Sequence, residues 1–345
     1  MKFSYSPRYL SLILSALFKT PQSAQALSAA PSHRLLTWNL LAPVYAPPQK
    51  YPWSDPTVLE WSYRKPRIIQ TIVDSRADLV CLQEVQIDLW DEFLADLPEG
   101  YTGLVQKQSC KHPVGCALLI RDQNNWKIVE TESRSRAFIV VLEEGSMKRR
   151  LYLAVVHLEA GSDKQETRWN QVKSLLKRLH NHAQDDVNPA VILAGDFNTY
   201  KRDCTLFSVL SGDACEQDKS IASWKGLSHF LLDTEMSSHS TPPGKELLPL
   251  YNAHQDNRPT LTYAGGSVLD YIWYSPSSIQ IEKSITDWCP LVEYEKENYA
   301  EELCPPRPWP SEENPSDHVP IGVDFSLIQK RSSLGAIVGQ RALKS

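Results

Sequence analysis

Glycine is sparse in this sequence: 14 glycines and 24 prolines in 345 residues exclude a collagen-like or low-complexity chain. Positive charge is not in excess either. With 36 Lys and Arg against 41 Asp and Glu, the formal net charge is −5. The chain is not coated for clamping long duplexes nonspecifically, so any grip on nucleic acid has to come from a localised basic groove. Only seven cysteines are present, an odd number, and no C-x-x-C pair among them suggests zinc. Cys81 and Cys116 sit in apolar strand-like runs, as small buried thiols do; Cys204/Cys215 and Cys289/Cys304 are spaced for short-loop disulfides if the protein is secreted. No N-x-S/T acceptor occurs, which disfavours a heavily glycosylated extracellular chain. What is there, 42% hydrophobic and 22% charged residues with 10 Trp and 14 Tyr, describes a folded soluble protein able to bury a substantial core.

The first acidic residue is Asp55. Before it lie Lys2, Arg8, a mostly apolar run from Tyr9 to Phe18, then Lys19 and the small-residue stretch Ser23-Ala24-Gln25-Ala26. The run is too short for a bilayer-spanning helix, which needs roughly 20 residues, and Ala24-Gln25-Ala26 fits an A-x-A cleavage site. Residues 1–26 are therefore expected to be a cleavable targeting segment. A secretory or endomembrane route is favoured, with a mitochondrial or plastid transit peptide as the alternative, and no stable membrane span is expected after processing. At the other end, residues 327–345 read as a solvated, disordered basic tail.

Between these ends, 33–326 reads as one α+β domain without a repeat or interior linker. Leu35 to Leu40 reads as a strand and Pro66 to Val73 as a helix with proline near its start. Leu79 to Leu82 reads as a buried strand, and Asp88 to Leu97 as a helix stopped by Pro98. Tyr101 to Val105, Cys116 to Ile120, Trp126 to Val129, Phe138 to Leu142 and Leu151 to Leu158 follow as successive strands, which implies a mostly antiparallel region. A long amphipathic helix from about Asp163 to His182 carries the apolar stripe Trp169, Val172, Leu175, Leu176 and Leu179. Ala190 to Ala194, Tyr271 to Tyr274 and Val319 to Phe325 are the later strands. Several strands are apolar throughout, so both faces are expected to be covered: two packed sheets with helices outside.

Polar residues gather at the ends of these apolar runs. Asn39 follows Leu35-Leu36-Thr37-Trp38, Glu84 follows Val80-Cys81-Leu82-Gln83, His157 follows Leu153-Ala154-Val155-Val156, and Asp196 and Asn198 follow Val191-Ile192-Leu193-Ala194. Asp270 opens a strand, and Asp317-His318 opens another. Any one of them is a routine turn residue or cap. Together they offer carboxylates suited to a hard cation, two amides and two imidazoles. Oxygen donors with few His or Cys favour Mg²⁺ or Mn²⁺ over zinc. A cation offsets phosphate charge, and an imidazole held by a carboxylate can move a proton of attacking water. That inventory is what phosphoester hydrolysis needs.

The ordered blocks Trp38-Asn39-Leu40, Leu82-Gln83-Glu84-Val85, Val156-His157-Leu158, Gly195-Asp196-Phe197-Asn198-Thr199, Leu269-Asp270-Tyr271 and Ser316-Asp317-His318 resemble the endonuclease/exonuclease/phosphatase superfamily, the DNase I-like fold. Within it the chain is most similar to the carbon catabolite repressor type of deadenylase, with its nocturnin and angel relatives. The segments that carry this are Asn39-Leu40-Leu41-Ala42-Pro43-Val44-Tyr45, Trp61-Ser62-Tyr63-Arg64-Lys65, Ala77 to Val85 and Gly115-Cys116-Ala117. The resemblance implies a four-layer α/β-sandwich of two packed mixed sheets flanked by helices, with the site at one edge of the sheets. It implies Glu84 as principal metal ligand with Asp317 and Asn39 near the metal, and Asp196 orienting the water. It also implies Asn198 on a phosphate oxygen, His318 as general base oriented by Asp270, and His157 donating to the phosphate or leaving oxygen. The chain departs from the family where Val155 and Val156 precede His157 in place of Asn-Thr, and where Val114 replaces Asp before Gly115.

Arg64, Lys65, Arg134 and Arg136 are candidate contacts to a nucleic-acid backbone; Tyr263, Trp273 and Trp309 are candidates for base stacking, with core packing as the ordinary reading. The expected activity is a Mg²⁺-dependent 3′-exoribonuclease on single-stranded, adenylate-rich RNA ends. The alternatives are a phosphatase or phosphodiesterase on a small phosphoester, such as a phosphorylated dinucleotide, a cyclic phosphate or a lipid headgroup, and a catalytically silent binding module. Without a leucine-rich repeat ahead of the domain, recruitment to a large deadenylase complex by that route is not expected.

Overall fold

A computed structural model describes residues 32–106, 113–121, 126–199, 206, 210, 251–254, 261–289 and 308–328. Side-chain alternation in the strands decides the architecture. Strand β1 (Ser32–Asn39) sends Leu35 to one side and Leu36 and Trp38 to the other; β2 (Leu79–Gln86) does the same with Leu79 and Cys81 against Val80 and Leu82. Both sides are apolar because both are covered. Strands β3 (Tyr101–Val105), β4 (Val114–Arg121), β11 (Ile279–Ile285) and β12 (Ile321–Leu327) complete a six-stranded sheet in the order β11-β12-β1-β2-β4-β3. The second sheet runs β5-β6-β7-β8-β10-β9, from β5 (Trp126–Ser133), β6 (Ala137–Glu144), β7 (Arg149–His157), β8 (Ala190–Asp196), β9 (Tyr251–Asn252) and β10 (Asp270–Tyr274).

Three apolar cores follow. Between the sheets Leu35, Leu118 and Val323 meet Phe138, Leu153 and Ile192. Outside the first sheet, Ile68 and Ile72 of α2 (Trp61–Ser75) and Trp90 and Phe93 of α3 (Trp90–Ala95) cover Leu36, Val80 and Leu119; the short α1 (Pro56–Leu59) leads into α2. Outside the second, α4 (Gln165–Ala183) lays Trp169, Val172, Leu175, Leu176 and Leu179 on Ile139, Ala154 and Val191, the stripe its 3.6-residue periodicity foretold. The order is helices, sheet, sheet, helix: the expected four-layer α/β-sandwich.

The successive strands proved to be divided between the sheets, β3 and β4 in one and β5 to β7 in the other, though pairing within each group is antiparallel as expected. Helix α2 begins five residues before Pro66, which stands inside it, so Pro66 is not a start signal there. Strand β11 escaped the sequence reading because a bulge between Ile281 and Lys283 breaks its alternation. Leu327 is buried within β12, so the expected basic tail starts beyond it. The 1–26 segment, the rest of that tail from residue 329, and Cys204, Cys215 and Cys304 lie outside the described residues; Cys289 carries a free thiol. No helix among the described residues is long and apolar enough to cross a membrane.

Each sheet holds one parallel pair, β1 with β2 and β7 with β8, so four strand C-termini point to one end of the sandwich. The antiparallel neighbours β10 and β12 begin at that same end, with Asp270 opposite Asp196 and Ile321 opposite Thr37. This is where one of the few glycines is spent. Gly195, at φ +149°, pairs with Val156, and a Cβ built on it would lie 1.9 Å from the Val156 carbonyl oxygen. Gly195→Ala is expected to force β7 and β8 apart, cost about 3 kcal/mol or more, and lower the thermal midpoint by roughly 6–12 °C, read by calorimetry.

Candidate active site

Alternation also decides what faces the gap between the sheets at that end. Asn39 continues the inward set of Leu35 and Thr37, His157 that of Leu151, Leu153 and Val155, Asp196 that of Ile192 and Ala194, and Asp270 that of Ile272. The inner core is apolar up to its last layer and polar there. Glu84 by alternation belongs with Val80 and Leu82 on the helix side. It is re-aimed by a bulge: the β2–β4 register shifts between Leu82 and Val85, and Glu84 adopts φ +52°, a conformation costly for a residue with a Cβ. Such strain persists where surrounding structure holds it.

The two sheets meet through hydrogen bonds. Asn39 Nδ2 donates to Asp196 Oδ2 at 3.1 Å, and Asn39 Oδ1 accepts from the Leu41 amide at 3.0 Å. Asp196 Oδ1 accepts from the Asn198 amide at 2.8 Å, and Asn198, at φ +47°, donates from Nδ2 to the Leu158 carbonyl at 3.0 Å and to Asp196 Oδ2 at 3.4 Å. Asn198, expected on a phosphate oxygen, lines the cavity, and its amide nitrogen faces the Leu158 carbonyl and Asp196 and so braces that carboxylate. His318 Nδ1 lies 2.8 Å from Asp270 Oδ2, which fixes the ring and presents Nε2 to Asp196 Oδ2 at 3.7 Å. His157 Nε2 stands 3.7 Å from Glu84 Oε1 and 3.8 Å from Asp196 Oδ2. Asp317 accepts from the Tyr51 hydroxyl at 2.9 Å, and Glu84 Oε2 accepts from the Ala42 amide at 3.2 Å.

The electrostatics follow from crowding charge in a dry place. Burial, with Asp317 adding to it, lifts the Glu84 carboxyl to about 7. Burial, with Asp270 adding, lifts Asp196 to about 6 although His318 and His157 oppose it. Burial presses the His157 imidazole below its ordinary value. For His318 burial acts downward, but Asp270, Asp196 and Asp317 outweigh it and raise the imidazole to about 10. A surplus of buried negative charge holds that proton.

Glu84, His157, Asp196, Asn198, Asp317 and His318 line one cavity of about 850 Å³, with Tyr51, Arg136, Glu159 and Tyr263 in its wall; Asn39 and Asp270 stand behind them. The Tyr263 ring packs on His318, centroids 4.9 Å apart, and so belongs to the site's frame; Trp273 is buried in the core under α4, and Trp309 offers its carbonyl to Trp53. Arg136 lines the cavity and pairs with Glu159, whereas Arg134 lies on an adjoining groove with Arg136, Asn170 and Ser174. Lys65 is paired with Glu92 and Asp96.

Arg64 corrects the sequence reading outright. It is fully buried, and its guanidinium donates to the carbonyls of Leu59 (3.1 Å), Leu40 (2.9 Å), Pro315 (3.1 Å) and Leu41 (2.8 Å). No nucleic acid can reach it. It ties the turn after Asn39 to α2 and to the segment leading into Asp317, and burial lowers it only to about 10, so it stays charged beneath Asp317 and Glu84. Tyr51 was also missed, since the proline-rich loop that carries it shows no periodicity.

Whether a divalent cation suits the place is a question of donors. Glu84 and Asp317 form no ion pair with Lys or Arg among the described residues, and both line the cavity. No three His, Cys, Asp or Glu side chains among those residues form a closed cage. A hard cation such as Mg²⁺ does not require one: it is usually held by one or two carboxylates and keeps waters and substrate phosphate oxygens in its remaining positions. The donor set fits. Asn39 hydrogen-bonds both Asp196 and Glu84 while its Oδ1 accepts from the Leu41 amide.

Carboxylates, imidazoles and amides brought into one cavity at the strand ends are groups that can hold a divalent cation and move protons. The chain belongs to the Endonuclease/Exonuclease/phosphatase family, whose model matches residues 36–318. It is 24% identical over 348 residues to the CCR4-Not complex 3′-5′-exoribonuclease subunit Ccr4 of Kluyveromyces lactis, covering 86% of this chain and 41% of that protein. It is 26% identical over 340 residues to Nocturnin of Homo sapiens, covering 89% and 68%. The chain thus spans about two-fifths of the length of the Ccr4 relative. Among solved structures, ANGEL2, a 2′,3′-cyclic phosphatase, superposes with a TM-score of 0.63 at 18% identity, over 86% of this chain and 96% of that one. The human Nocturnin catalytic domain with bound sulfate gives 0.55 at 24%, over 86% and 94%. At these identities the structural likeness speaks for the fold.

Proposed function

We propose that the chain is a Mg²⁺-dependent 3′-exoribonuclease acting on single-stranded, adenylate-rich RNA ends. The observation that carries this reading is the meeting of Glu84, Asp317, Asp196, His157 and His318, backed by Asp270, in one cavity beside Arg136. The relatedness to an exoribonuclease subunit supports it. Mg²⁺ held by Glu84 and Asp317 would offset charge on the phosphate as it is attacked. Asp196, braced through both oxygens, lies 3.7 Å from His318 Nε2, close enough for one water to bridge them. A cation held by Glu84 and Asp317 would offset the carboxylate charge that keeps His318 protonated, leaving Asp196 to orient this water and His318 to take its proton. Asp270 sets which imidazole nitrogen does so. His157 stands on the Glu84 side and donates to a phosphate oxygen, while Arg136 meets the next phosphate at the rim.

One observation favours a second reading, hydrolysis of a small phosphoester. The formal net charge is −5, and loss of Lys2, Arg8 and Lys19 with a cleaved leader would make it −8. A long polyanion would then depend wholly on local contacts. The two are separated by incubating the full chain and Mg²⁺ with 5′-labelled RNA ending in oligoadenylate and, in parallel, with a phosphorylated dinucleotide. A ladder shortening from the 3′ end supports the first reading. Intact RNA with phosphate released from the dinucleotide sinks it in favour of the second.

A further inference from the structure

The loop after β1 presents aromatic side chains that neither the core nor the chemistry of the site uses. Trp53 is 54% exposed and Tyr45 39%, and both line the cavity that holds Glu84 and His318, with Lys50 between them in sequence and its ammonium 5.6 Å from the Tyr45 ring centroid. A lone exposed aromatic on a protein surface needs no explanation. Two on the wall of a charged cavity do. Trp53 is also held in place: its Nε1 donates to the Trp309 carbonyl at 3.1 Å, and its ring meets that of Tyr51 edge-on, centroids 5.8 Å apart. The neighbouring Ser54 hydroxyl donates to the Pro310 carbonyl at 2.6 Å. Tyr51 in turn donates to Asp317, so one rigid chain of contacts runs from a site carboxylate to an uncovered indole.

A phosphate alone would leave most of an 850 Å³ cavity empty. What lies beside the phosphate must reward a flat, fixed, apolar surface, and a nucleobase does, since every base has a face that stacks on an aromatic ring. A sugar ring can lay its C–H face, or a choline headgroup its ammonium, on an aromatic ring, but neither is a planar π-system that matches an indole across its whole face, so a sugar phosphate is the comparison that decides. Stacking also adds affinity without positive charge, which this acidic chain lacks in excess.

We propose that Trp53, with Tyr45 and Lys50, forms a nucleobase subsite of this cavity, so that the phosphoester taken belongs to a nucleotide and not to a sugar or a lipid. The assignment rests on the phosphoester reading of the site. It is tested by calorimetric titration of the full chain with Mg²⁺, in a His318→Ala background that prevents turnover, using adenosine 5′-monophosphate and ribose 5-phosphate. Trp53→Ala is expected to weaken adenosine monophosphate about tenfold or more, with Trp53→Phe restoring most of it and ribose 5-phosphate binding alike to all three. Equal loss for both ligands, or no loss for either, overturns the subsite. A parent chain that binds the nucleotide no better than the sugar phosphate does the same. A third ligand, hexa-adenylate, tells the sources apart: tighter Trp53-dependent binding than the mononucleotide assigns an RNA end, and equal binding a small nucleotide, both within the proposal. Because binding needs no turnover, a chain that hydrolyses nothing yet titrates as expected fails the hydrolase reading and keeps this one; hydrolysis with a flat titration does the reverse.

Discussion

Replacing Glu84 by Gln is expected to lower kcat/KM for phosphoester hydrolysis by about 10³-fold or more while the protein folds as before. Gln fills the same volume and its side-chain oxygen still accepts from the Ala42 amide, so the bulge that turns residue 84 into the cavity is kept. Only the charge goes. In the metal-free protein that charge is a burden, because burial and Asp317 both act against it. The Gln variant is therefore expected to melt no lower than the parent in EDTA. Mg²⁺ should raise the parent's midpoint, since a ligand that binds only the folded state stabilises it, and should leave the variant's unchanged. A variant that keeps its turnover, or that still gains stability from Mg²⁺, contradicts the role given to Glu84.

Arg64→Ala is expected to cost about 3–5 kcal/mol of unfolding free energy. Four carbonyls, at Leu40, Leu41, Leu59 and Pro315, lose their donor at once, and a fully buried side chain leaves a void. The same loss frees the turn beside Asn39 and the approach to Asp317 from each other, and removes a buried guanidinium whose charge acts on both Asp317 and Glu84. Activity should fall with stability, and Arg64→Lys should recover only part of either, because an ammonium lacks the planar fork that reaches several carbonyls. Denaturant unfolding measures the first effect. A loss below about 1 kcal/mol would mean that the carbonyls find other donors and that Arg64 is no bolt.

Much of this was legible in the sequence because two simple regularities carried it. Period-2 and period-3.6 patterning set out the strands of both sheets and the stripe of α4. Polar residues capping apolar runs marked Asn39, His157 and Asp196, since strands that run parallel must end together. Patterning was silent where the backbone leaves its period. Glu84 too was marked by the apolar run before it, but the bulge that turns it into the cavity was not readable; β11 is hidden by another bulge, and the loop bearing Tyr45, Tyr51 and Trp53 has no period to read. Arg64 misled for a different reason: an arginine within a polar stretch looks like a surface charge, and only the three-dimensional return of Leu40 and Pro315 around it reveals a guanidinium bonded wholly to main chain.

The central claim is that the carboxylate and imidazole cluster between the sheets is a metal-dependent hydrolytic site. Its most direct test is release of labelled adenylate from the 3′ end of single-stranded oligoadenylate by the full chain, stripped with EDTA and then titrated with Mg²⁺, with His318→Ala alongside. No release before the cation, release that saturates after it, and none from His318→Ala is the expected result. Release of equal rate in EDTA, or from His318→Ala, would contradict the account.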